Sequence, residues 1–268
     1  MENRAANGAG VLTGYLSEMF CSVQGEGLFV GERQVFVRTA GCVATCSWCD
    51  TVYSKVRTPR FVTHTDDGAD KRWRSNPVAL VDVVADVVAF ASSRGVRDVS
   101  LTGGEPLEQA AFCAALAHQL DAAGLRIHLE TAGLHARELT EVIASVRVIA
   151  MDVKLPSATG MEHWDAHRDF LAVMKAHPDE RRTDFVKVVV DLNGTTDEIE
   201  HAALLVAACD RRVPLIIQPE SGALFGKGAT PAAARELLDL IDAGARAAAA
   251  HLDTVRVIPQ THKALNIR

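Results

Sequence analysis

Residues 96–109 read VRDVSLTGGEPLEQ. VRDVSL (96–101) has the length and apolar character of a buried strand, and the glycines after it turn the chain. Pro106 suits the first position of a helix, which we predict to continue to about Ala123. A short apolar strand followed at once by a helix is the repeating unit of a parallel α/β sheet.

The same unit recurs on both sides of this stretch. Further strands are predicted at 15–23, 34–41, 126–130, 147–153, 184–190, 214–219 and 254–260. Further helices are predicted at 76–95, 136–146, 162–176 and 196–209, and after Thr230. For the first of these, Asn76 is the expected N-cap, Pro77 the first helical residue and Gly95 the C′ residue. Residues 52–75 are polar and lack periodicity, which predicts a long loop.

About six strand–helix units are too few to close a barrel of eight strands. We therefore predict an α/β fold in the form of a partial, open βα barrel. The sequence shows no internal repeat and no linker, which indicates a single domain. We assign residues 14–268 to this domain, with a C-terminal segment that closes over the substrate, and residues 1–13 to a disordered tail.

Composition limits the classes of partner. The chain has 268 residues, of which 48% are hydrophobic and 23% charged, and its net charge is −6. An acidic balance does not favour binding to nucleic-acid phosphates. We see neither an uninterrupted apolar run long enough for a membrane helix nor an apolar signal-peptide core at the N-terminus. These features favour a cytoplasmic protein that acts on a small molecule and has no nucleic-acid or membrane partner.

Chemically distinctive residues follow several of the predicted strands. These segments are TGGEP (102–106), TAG (131–133), DVKLPS (152–157), QPESG (218–222) and PQTHK (259–263). In α/β folds the carboxyl ends of the strands meet at one edge, where ligands bind. We therefore expect these segments to form one shared site.

Three of the six cysteines lie close together in GCVATCSWCDT (41–51) with the spacing C-x3-C-x2-C. A structural zinc site needs four ligands, and His64 is an isolated candidate for the fourth. A [4Fe–4S] cluster is held by thiolates, and three of them leave one iron open for another ligand. The remaining cysteines, Cys21, Cys113 and Cys209, are interpreted as structural.

The cysteine spacing, with GGE after the next strand, resembles that of the radical S-adenosylmethionine (SAM) enzymes. Further motifs narrow the resemblance to the family of 7-carboxy-7-deazaguanine synthases of queuosine and deazapurine biosynthesis. They are FCSVQGEGLFVGERQVFVRTAGC (20–42), CSWCDT (46–51), TGGEP, ETAG (130–133), DVKLPS and RVIPQTHK (256–263). The resemblance extends from about residue 14 to the end of the chain, with its motifs in order.

The resemblance implies a carbon–nitrogen lyase. A reduced [4Fe–4S] cluster passes one electron to SAM, and a 5′-deoxyadenosyl radical takes a hydrogen from 6-carboxy-5,6,7,8-tetrahydropterin. The ring contracts, ammonia leaves and 7-carboxy-7-deazaguanine forms. The family also uses Mg²⁺, which orients the substrate carboxylate. An electron donor such as flavodoxin or ferredoxin, and a homodimer, are further expectations.

The resemblance also implies a role for each matching residue. The cluster ligands are Cys42, Cys46 and Cys49, SAM occupies the open iron, and Thr51 contacts Mg²⁺. The expected SAM contacts are Trp48, Asp50, Gly103, Gly104, Glu105, Glu130, Thr131, Asp152, Val153, Lys154 and Gln218. The expected substrate contacts are Val23, Gln24, Gly25, Glu26, Arg38, Thr102, Gln260, His262 and Arg268. Arg38 fits this role chemically, because its guanidinium fork matches a carboxylate.

Two alternatives remain at this stage. One is another radical SAM enzyme, such as an activase that forms a radical on a glycyl-radical enzyme. It would share the cysteines and GGE but gives no reason for QGEG, CDT or PQTHK. The other is a zinc-stabilised α/β binding module without enzymatic activity.

Overall fold

The computed structural model describes residues 11–64 and 71–267. The strands are β1 (Thr13–Gly14), β2 (Leu16–Val23), β3 (Arg33–Thr39), β4 (Arg60–His64), β5 (Lys71–Ser75), β6 (Val78–Ala79), β7 (Asp98–Gly103), β8 (Arg126–Thr131), β9 (Val148–Val153), β10 (Thr183–Val190), β11 (Leu215–Pro219) and β12 (Val255–Val257). The helices are α1 (Leu80–Arg94), α2 (Ala110–Ala122), α3 (Ala136–Val142), α4 (Pro156–Thr159), α5 (Trp164–Ala176), α6 (Thr196–Asp210), α7 (Ser221–Phe225), α8 (Pro231–Ala249) and α9 (Thr261–Ala264).

Ten strands form one sheet in the order β12-β11-β10-β9-β8-β7-β3-β2-β4-β5. All neighbours from β12 to β3 are parallel, and helices connect the strands from β7 onward. In the described part of the chain β12 and β5 do not pair with each other, so the sheet stays open. The predicted partial βα barrel in a single α/β domain is confirmed.

The two faces of the sheet have different roles. On β10, Val186, Val188 and Val190 pack into the core under the helices. Alternate side chains of a strand point to opposite faces, so Phe185, Lys187 and Val189 point away from the helices. We call the side away from the helices the inner face. Its lower part is apolar, with Val148, Phe185 and Ile216 in contact, and its upper part carries the polar residues described below.

The start of α1 differs from the sequence-based prediction. Ala79, not Asn76, is the N-cap residue, and Val78–Ala79 pairs instead with Thr13–Gly14. The Asn76 side chain donates to the carbonyl of Leu16 (2.7 Å) and accepts from its N–H (3.1 Å), so it is used to anchor β2. The prediction for the end of α1 is confirmed, because Gly95 adopts the left-handed conformation with φ of 62°.

Residues 52–75 are not a long loop throughout. They contain the antiparallel pair β4 and β5, and β4 also pairs in parallel with β2 at the edge of the sheet. The signal is weak in the sequence because β4 is short and lacks a continuous apolar run, and because β5, the edge strand, buries little of its surface. In β5 the pattern KRWRS leaves Lys71, Arg72 and Trp73 exposed.

The two ends of the chain also differ from the sequence-based prediction. Of the predicted tail, residues 1–10 lie outside the described residues, whereas Thr13 is already part of β1 and Leu12 accepts a backbone hydrogen bond from Leu80 (2.9 Å). The strand predicted at 254–260 is shorter and ends at Val257. Across residues 11–64 and 71–267, every helix is too short or too polar to cross a lipid bilayer.

Candidate active site

A cavity of about 440 Å³ opens at the carboxyl ends of the parallel strands. The predicted site residues that line it are Gln24, Glu26, Arg38, Cys42, Cys46, Trp48, Cys49, Asp50, Thr51, Thr102, Gly103, Gly104, Glu130, Thr131, Asp152, Lys154, Gln218 and Gln260. They come from β3, β7, β8, β9 and β11, from the loops that follow these strands, and from the segments after β2 and β12. The segments that the sequence places at separate strand ends therefore meet in one site.

Other predicted residues lie close to this cavity without lining it. Val23 ends β2, where it pairs with Arg33, and the side chain of Val153 is buried in the helix-covered core. Gly25, Glu105 and His262 lie directly behind the cavity wall, in contacts described below. Arg268 lies outside the described residues.

The cysteine loop is held against the GGE turn by backbone hydrogen bonds. Gly41 N donates to the Ser54 carbonyl (2.8 Å), and Glu105 N donates to the Gly41 carbonyl (2.7 Å). This close approach explains the glycine at position 104, because a Cβ there would lie 2.0 Å from the Gly41 oxygen. The first cysteine is thereby fixed beside the turn after β7.

The three cysteine sulfurs are poorly suited to a single zinc ion. Tetrahedral zinc with Zn–S bonds of about 2.3 Å brings sulfurs to within about 3.8 Å of one another. Among the described residues, the group of three ligand atoms that lies within 4.8 Å consists of Glu32, Asp98 and His128 and includes no cysteine. Burial raises the pKa of both Cys42 and Cys46, so these thiols need a metal to become thiolates at neutral pH.

Three residues that line the cavity have buried polar atoms without a partner among the described residues. Trp48 Nε1, Asp152 Oδ1 and Gln218 Oε1 are buried and make no hydrogen bond to other described residues. Lys154 lies over the Trp48 ring (Nζ to centroid 4.7 Å) and donates to Asp152 Oδ2 (2.8 Å). Buried polar groups are normally paired, so these atoms indicate a polar ligand at this wall.

Glu105, the carboxylate of GGE, is bound to the neighbouring strand end. It accepts from the Leu107 N–H (3.0 Å), the Thr131 hydroxyl (2.8 Å) and the Ala132 N–H (2.7 Å). Burial raises the pKa of Glu105, against the effect of these donors. The residue therefore joins the turn after β7 to the turn after β8.

The segment after β2 carries two polar side chains into the cavity. Gln24 Nε2 donates to Glu130 Oε1 (2.8 Å), and Gln260 Nε2 donates to Glu26 Oε1 (2.7 Å). Glu26 also forms a short ion pair with Lys187 from β10. Burial alone would raise the pKa of Glu26, but Lys187 and Gln260 lower it to about 2, so Glu26 is an ionised acceptor.

Arg38 also lines the cavity. Its Nε donates to Glu18 Oε1 (2.9 Å), which also accepts from the Tyr53 hydroxyl (2.6 Å). Burial alone would lower the pKa of Arg38, but Tyr53 and the carboxylates around it raise it. The guanidinium is thus a fixed cation at the cavity surface.

The C-terminal segment lies across the mouth of the site. Thr261 N donates to the Gly25 carbonyl (2.9 Å), and Lys263 forms an ion pair with Asp50 (3.1 Å). His262 packs directly on Gly25, where a Cβ would lie 2.0 Å from the histidine Nδ1. Burial lowers the pKa of His262.

Several cavity residues were not assigned a contact individually, although some of them lie in the strand-end segments expected to form the site. They are Gly27, Ala44, Lys55, Ala132, Ala150, Phe185, Lys187, Val189, Glu220, Ser221, Gly222, Phe225, Gly226 and Lys263. Lys187 is the most important chemically, because it pairs with Glu26 and lies 3.5 Å from Asp152. Its signal was a lysine within the otherwise apolar stretch FVKVVV, where a charged residue must be paired or face a site.

Comparison with known proteins agrees with this geometry. The model of the Radical SAM superfamily matches residues 36–199, so the chain is a member of that superfamily. A 7-carboxy-7-deazaguanine synthase of Geobacter sulfurreducens is 38% identical over 92% of this chain and 95% of its own length. One of Methanopyrus kandleri is 34% identical over 92% and 91%, respectively. The chain belongs to the 7-carboxy-7-deazaguanine synthase family.

A solved structure supports the fold. The crystal structure of QueE from Escherichia coli covers 92% of this chain and 94% of its own, with a TM-score of 0.55 and 21% identity. The predicted family and enzyme class are confirmed by these relatives. The similarities favour neither the activase nor the zinc-stabilised module.

Membership of the superfamily implies a [4Fe–4S] cluster and SAM. The residues present fit both groups. Three cysteine thiols line one cavity, and three buried polar atoms of its wall have no partner among the described residues. The cavity is large enough to admit small molecules beside the cysteine loop.

Proposed function

We propose that this chain converts 6-carboxy-5,6,7,8-tetrahydropterin into 7-carboxy-7-deazaguanine and ammonia. The observation that carries the proposal is the single cavity that joins the cysteine loop, the GGE turn and the segment with Gln24 and Glu26. An activase for a protein partner would have no use for a pterin-sized, polar inner wall. The atoms of the substrate equal those of the product plus ammonia, so the reaction requires no net oxidant.

When bound, the cluster and SAM supply a radical that can take a hydrogen from the substrate. Cys42, Cys46 and Cys49 would hold the cluster. The orphan polar atoms of Trp48, Asp152 and Gln218 are the natural partners of SAM, together with the backbone of Gly103 and Gly104. Glycine at these two positions lets a ligand approach the main chain closely.

The wall formed by Gln24, Glu26 and Glu130 would recognise the ring of the substrate, which makes Glu130 a substrate contact in place of the SAM contact that the resemblance implies. A pterin presents ring N–H and amino groups on one edge, and these donors require acceptors. Ionised Glu26 accepts hydrogen bonds only, and Lys187 keeps it ionised. These residues therefore orient the ring before any bond is broken, which is the protein's main contribution to such chemistry.

The substrate carboxylate would be bound by Arg38 and by Mg²⁺. Because Arg38 uses Nε for Glu18, its two terminal nitrogens remain to form a bidentate pair with a carboxylate. Thr51 offers a hydroxyl oxygen to Mg²⁺, which prefers hard oxygen ligands and keeps several waters. Thr102 and the C-terminal residues Gln260 and His262, with Arg268, would complete the enclosure and exclude water.

We further propose that the enzyme works in the cytoplasm as a homodimer and takes electrons from a flavodoxin or ferredoxin. These proposals rest on the resemblance to the family. Analytical ultracentrifugation tests the dimer, and turnover with purified flavodoxin in place of a chemical reductant tests the donor.

The activity is tested anaerobically. The protein is reconstituted with iron and sulfide and given a reductant, SAM, Mg²⁺ and 6-carboxytetrahydropterin, and products are followed by mass spectrometry. We expect 7-carboxy-7-deazaguanine from the native chain and from Cys209→Ala, and none from Cys46→Ala. Cleavage of SAM with an unchanged pterin would refute the substrate, and a colourless protein that holds zinc would refute the cluster.

A further inference from the structure

A continuous row of buried polar side chains runs along the inner face below the cavity. It leads from Asp98 at the start of β7, through His128 on β8 and Gln34 on β3, to Gln24 and Glu130. The contacts are Asp98 Oδ1 to His128 Nε2 (2.9 Å), His128 Nδ1 to Gln34 Nε2 (3.2 Å), Gln34 Oε1 to Gln24 Nε2 (3.3 Å) and Gln24 Nε2 to Glu130 Oε1 (2.8 Å). Gln34 is fully buried and His128 is 2% exposed. Nothing in the proposed reaction uses the lower half of this row.

The direction of every hydrogen bond in the row is fixed from its lower end. Asp98 also accepts from Arg126 (2.8 Å). Burial alone would raise the pKa of Asp98, but His128 and Arg126 lower it, so it is an ionised acceptor. His128 must then donate through Nε2. Gln34 presents its amide nitrogen, Nε2, to His128 Nδ1, so Gln34 donates its N–H and Nδ1 accepts.

The orientation of Gln34 determines that of Gln24. With its nitrogen towards His128, Gln34 presents its oxygen to Gln24, which must donate. Gln24 Nε2 thus gives one hydrogen to Gln34 and the other to Glu130, while its Oε1 accepts from the Glu26 N–H (3.1 Å). Both amide hydrogens of Gln24 are committed to the protein. The groups of Gln24 and Glu130 that remain for a ligand are acceptors.

Glu130 is held from the same side. Its Oε1 also accepts from Ser100 (2.7 Å), and its Oε2 accepts from Thr102 (2.7 Å). Three side chains, those of Gln24, Ser100 and Thr102, thus fix the carboxylate in the wall of the cavity. A group with so many short contacts cannot turn to suit an incorrect ligand without breaking several of them.

We propose that Asp98, His128 and Gln34 are positioning residues that make this wall an acceptor surface for the donor edge of the substrate ring. The inference rests on the proposed function, because the ring is the pterin. It extends that function by assigning part of the substrate specificity to residues that do not touch the substrate. A ring whose facing edge carries acceptors in place of N–H groups would place acceptor atoms against the acceptors of the wall. It would form no hydrogen bond there and would bind weakly.

A metal site is a less suitable interpretation of the same residues. Glu32, Asp98 and His128 present ligand atoms within 4.8 Å of one another. However, the Arg126 guanidinium lies 3.5 Å from Glu32 and 2.8 Å from Asp98, so it already pairs with both carboxylates. His128 Nε2 is also occupied by Asp98.

The test compares two variants of nearly equal size at position 34. Gln34→Met removes both hydrogen bonds. Gln34→Glu keeps an acceptor towards Gln24, and its second oxygen can share one proton with His128 Nδ1 in a hydrogen bond. Binding is measured by fluorescence titration of 6-carboxypterin, an unreactive pterin, on the reconstituted protein with SAM present. SAM affinity and melting temperature are measured on the same samples.

We expect Gln34→Met to weaken pterin binding about fivefold, the loss typical of one neutral hydrogen bond, with SAM affinity unchanged. Gln34→Glu should bind the pterin within about twofold of the native chain, since the orientation of Gln24 is retained. In turnover, KM for the substrate should rise in Gln34→Met while kcat stays near the native value. If Gln34→Met fails to fold, His128→Leu breaks the same row one residue further from Gln24, and the same comparison applies.

Three results would overturn the inference. The first is a Gln34→Met variant that binds the pterin as tightly as the native chain does. The second is a Gln34→Met variant that loses pterin affinity and SAM affinity equally, which indicates only general damage. Equal losses of pterin affinity in Gln34→Met and Gln34→Glu would show that shape, and not hydrogen-bond direction, matters. Failure of the native chain to bind the pterin at all would instead refute the proposed function, and this inference with it.

Discussion

Arg38 Nε and Glu18 Oε1 lie 2.9 Å apart across the pair β2–β3, and both side chains are largely buried. The same carboxylate accepts from Tyr53 and lies 3.3 Å from His64 Nε2 on β4. The strand β4, which the sequence did not reveal, thus supports the residue that holds Arg38. Arg38 is thereby restricted to an orientation in which the end of its fork is left for a ligand.

Arg38→Lys should specifically impair recognition of the substrate carboxylate. Lysine keeps the charge but cannot form two parallel hydrogen bonds to the substrate carboxylate. It also lacks the Nε–H group that pairs Arg38 with Glu18. We expect KM for 6-carboxytetrahydropterin to rise roughly 10- to 100-fold, the range for a hydrogen bond to a charged group. A pterin without the 6-carboxylate is the control ligand. It should bind the native chain and the variant equally, and a comparable loss for that ligand would contradict the role of Arg38.

Lys187 is expected to control the protonation of Glu26. In Lys187→Met the buried Glu26 loses its cation, so its pKa should rise from about 2 because burial then dominates. Protonation replaces one acceptor oxygen of Glu26 by an O–H donor, which suits the N–H edge of the ring less well. Pterin affinity of the variant should therefore fall as pH falls from 8 to 5, whereas that of the native chain should change little. Fluorescence titration of 6-carboxypterin at several pH values checks this, and parallel pH profiles in the two proteins would count against it.

Much of the fold could be predicted because buried parallel strands are nearly continuous apolar runs. VRDVSL and PLIIQP contrast clearly with the helical patterns around them, and their ends gave the position of the site. The short strand β4 and the edge strand β5 could not be predicted in this way, since RFVTH and KRWRS lack a continuous apolar run.

The face of a strand on which a side chain lies is harder to predict. DFVKVVV is correctly predicted as a strand, but Val186, Val188 and Val189 are equally apolar although they occupy different faces. Only the register with β9, which pairs Lys187 with Asp152, places Lys187 in the site. The row from Asp98 to Gln24 likewise joins three strands that are separate in sequence, so it depends on tertiary packing.

Gly104→Ala should damage the cysteine loop more than the fold. The new Cβ would lie 2.0 Å from the Gly41 carbonyl oxygen and 2.8 Å from that of Ser54, so backbone must move. We expect a large loss of bound iron and sulfide after reconstitution, measured per chain by colorimetric assay. Gly228→Ala is the matched control, because a Cβ there meets no atom within 4 Å. Full iron content in Gly104→Ala would show that the loop does not need this close approach.

His167 should make the protein less stable in acid. This buried histidine accepts from the Lys154 N–H (3.0 Å) and donates to the Gly133 carbonyl (3.2 Å), and burial lowers its pKa to about 4. The unfolded chain binds a proton here near pH 6.5, whereas the folded chain resists it until about pH 4. The contribution of the neutral ring is therefore present above pH 6.5 and is lost as pH falls towards 4, by up to about 1.4 kcal/mol per pH unit. His167→Gln can keep both hydrogen bonds but does not titrate. The melting temperature of the native chain should thus drop more than that of His167→Gln between pH 7 and pH 5, and equal drops would show that other groups cause the acid sensitivity.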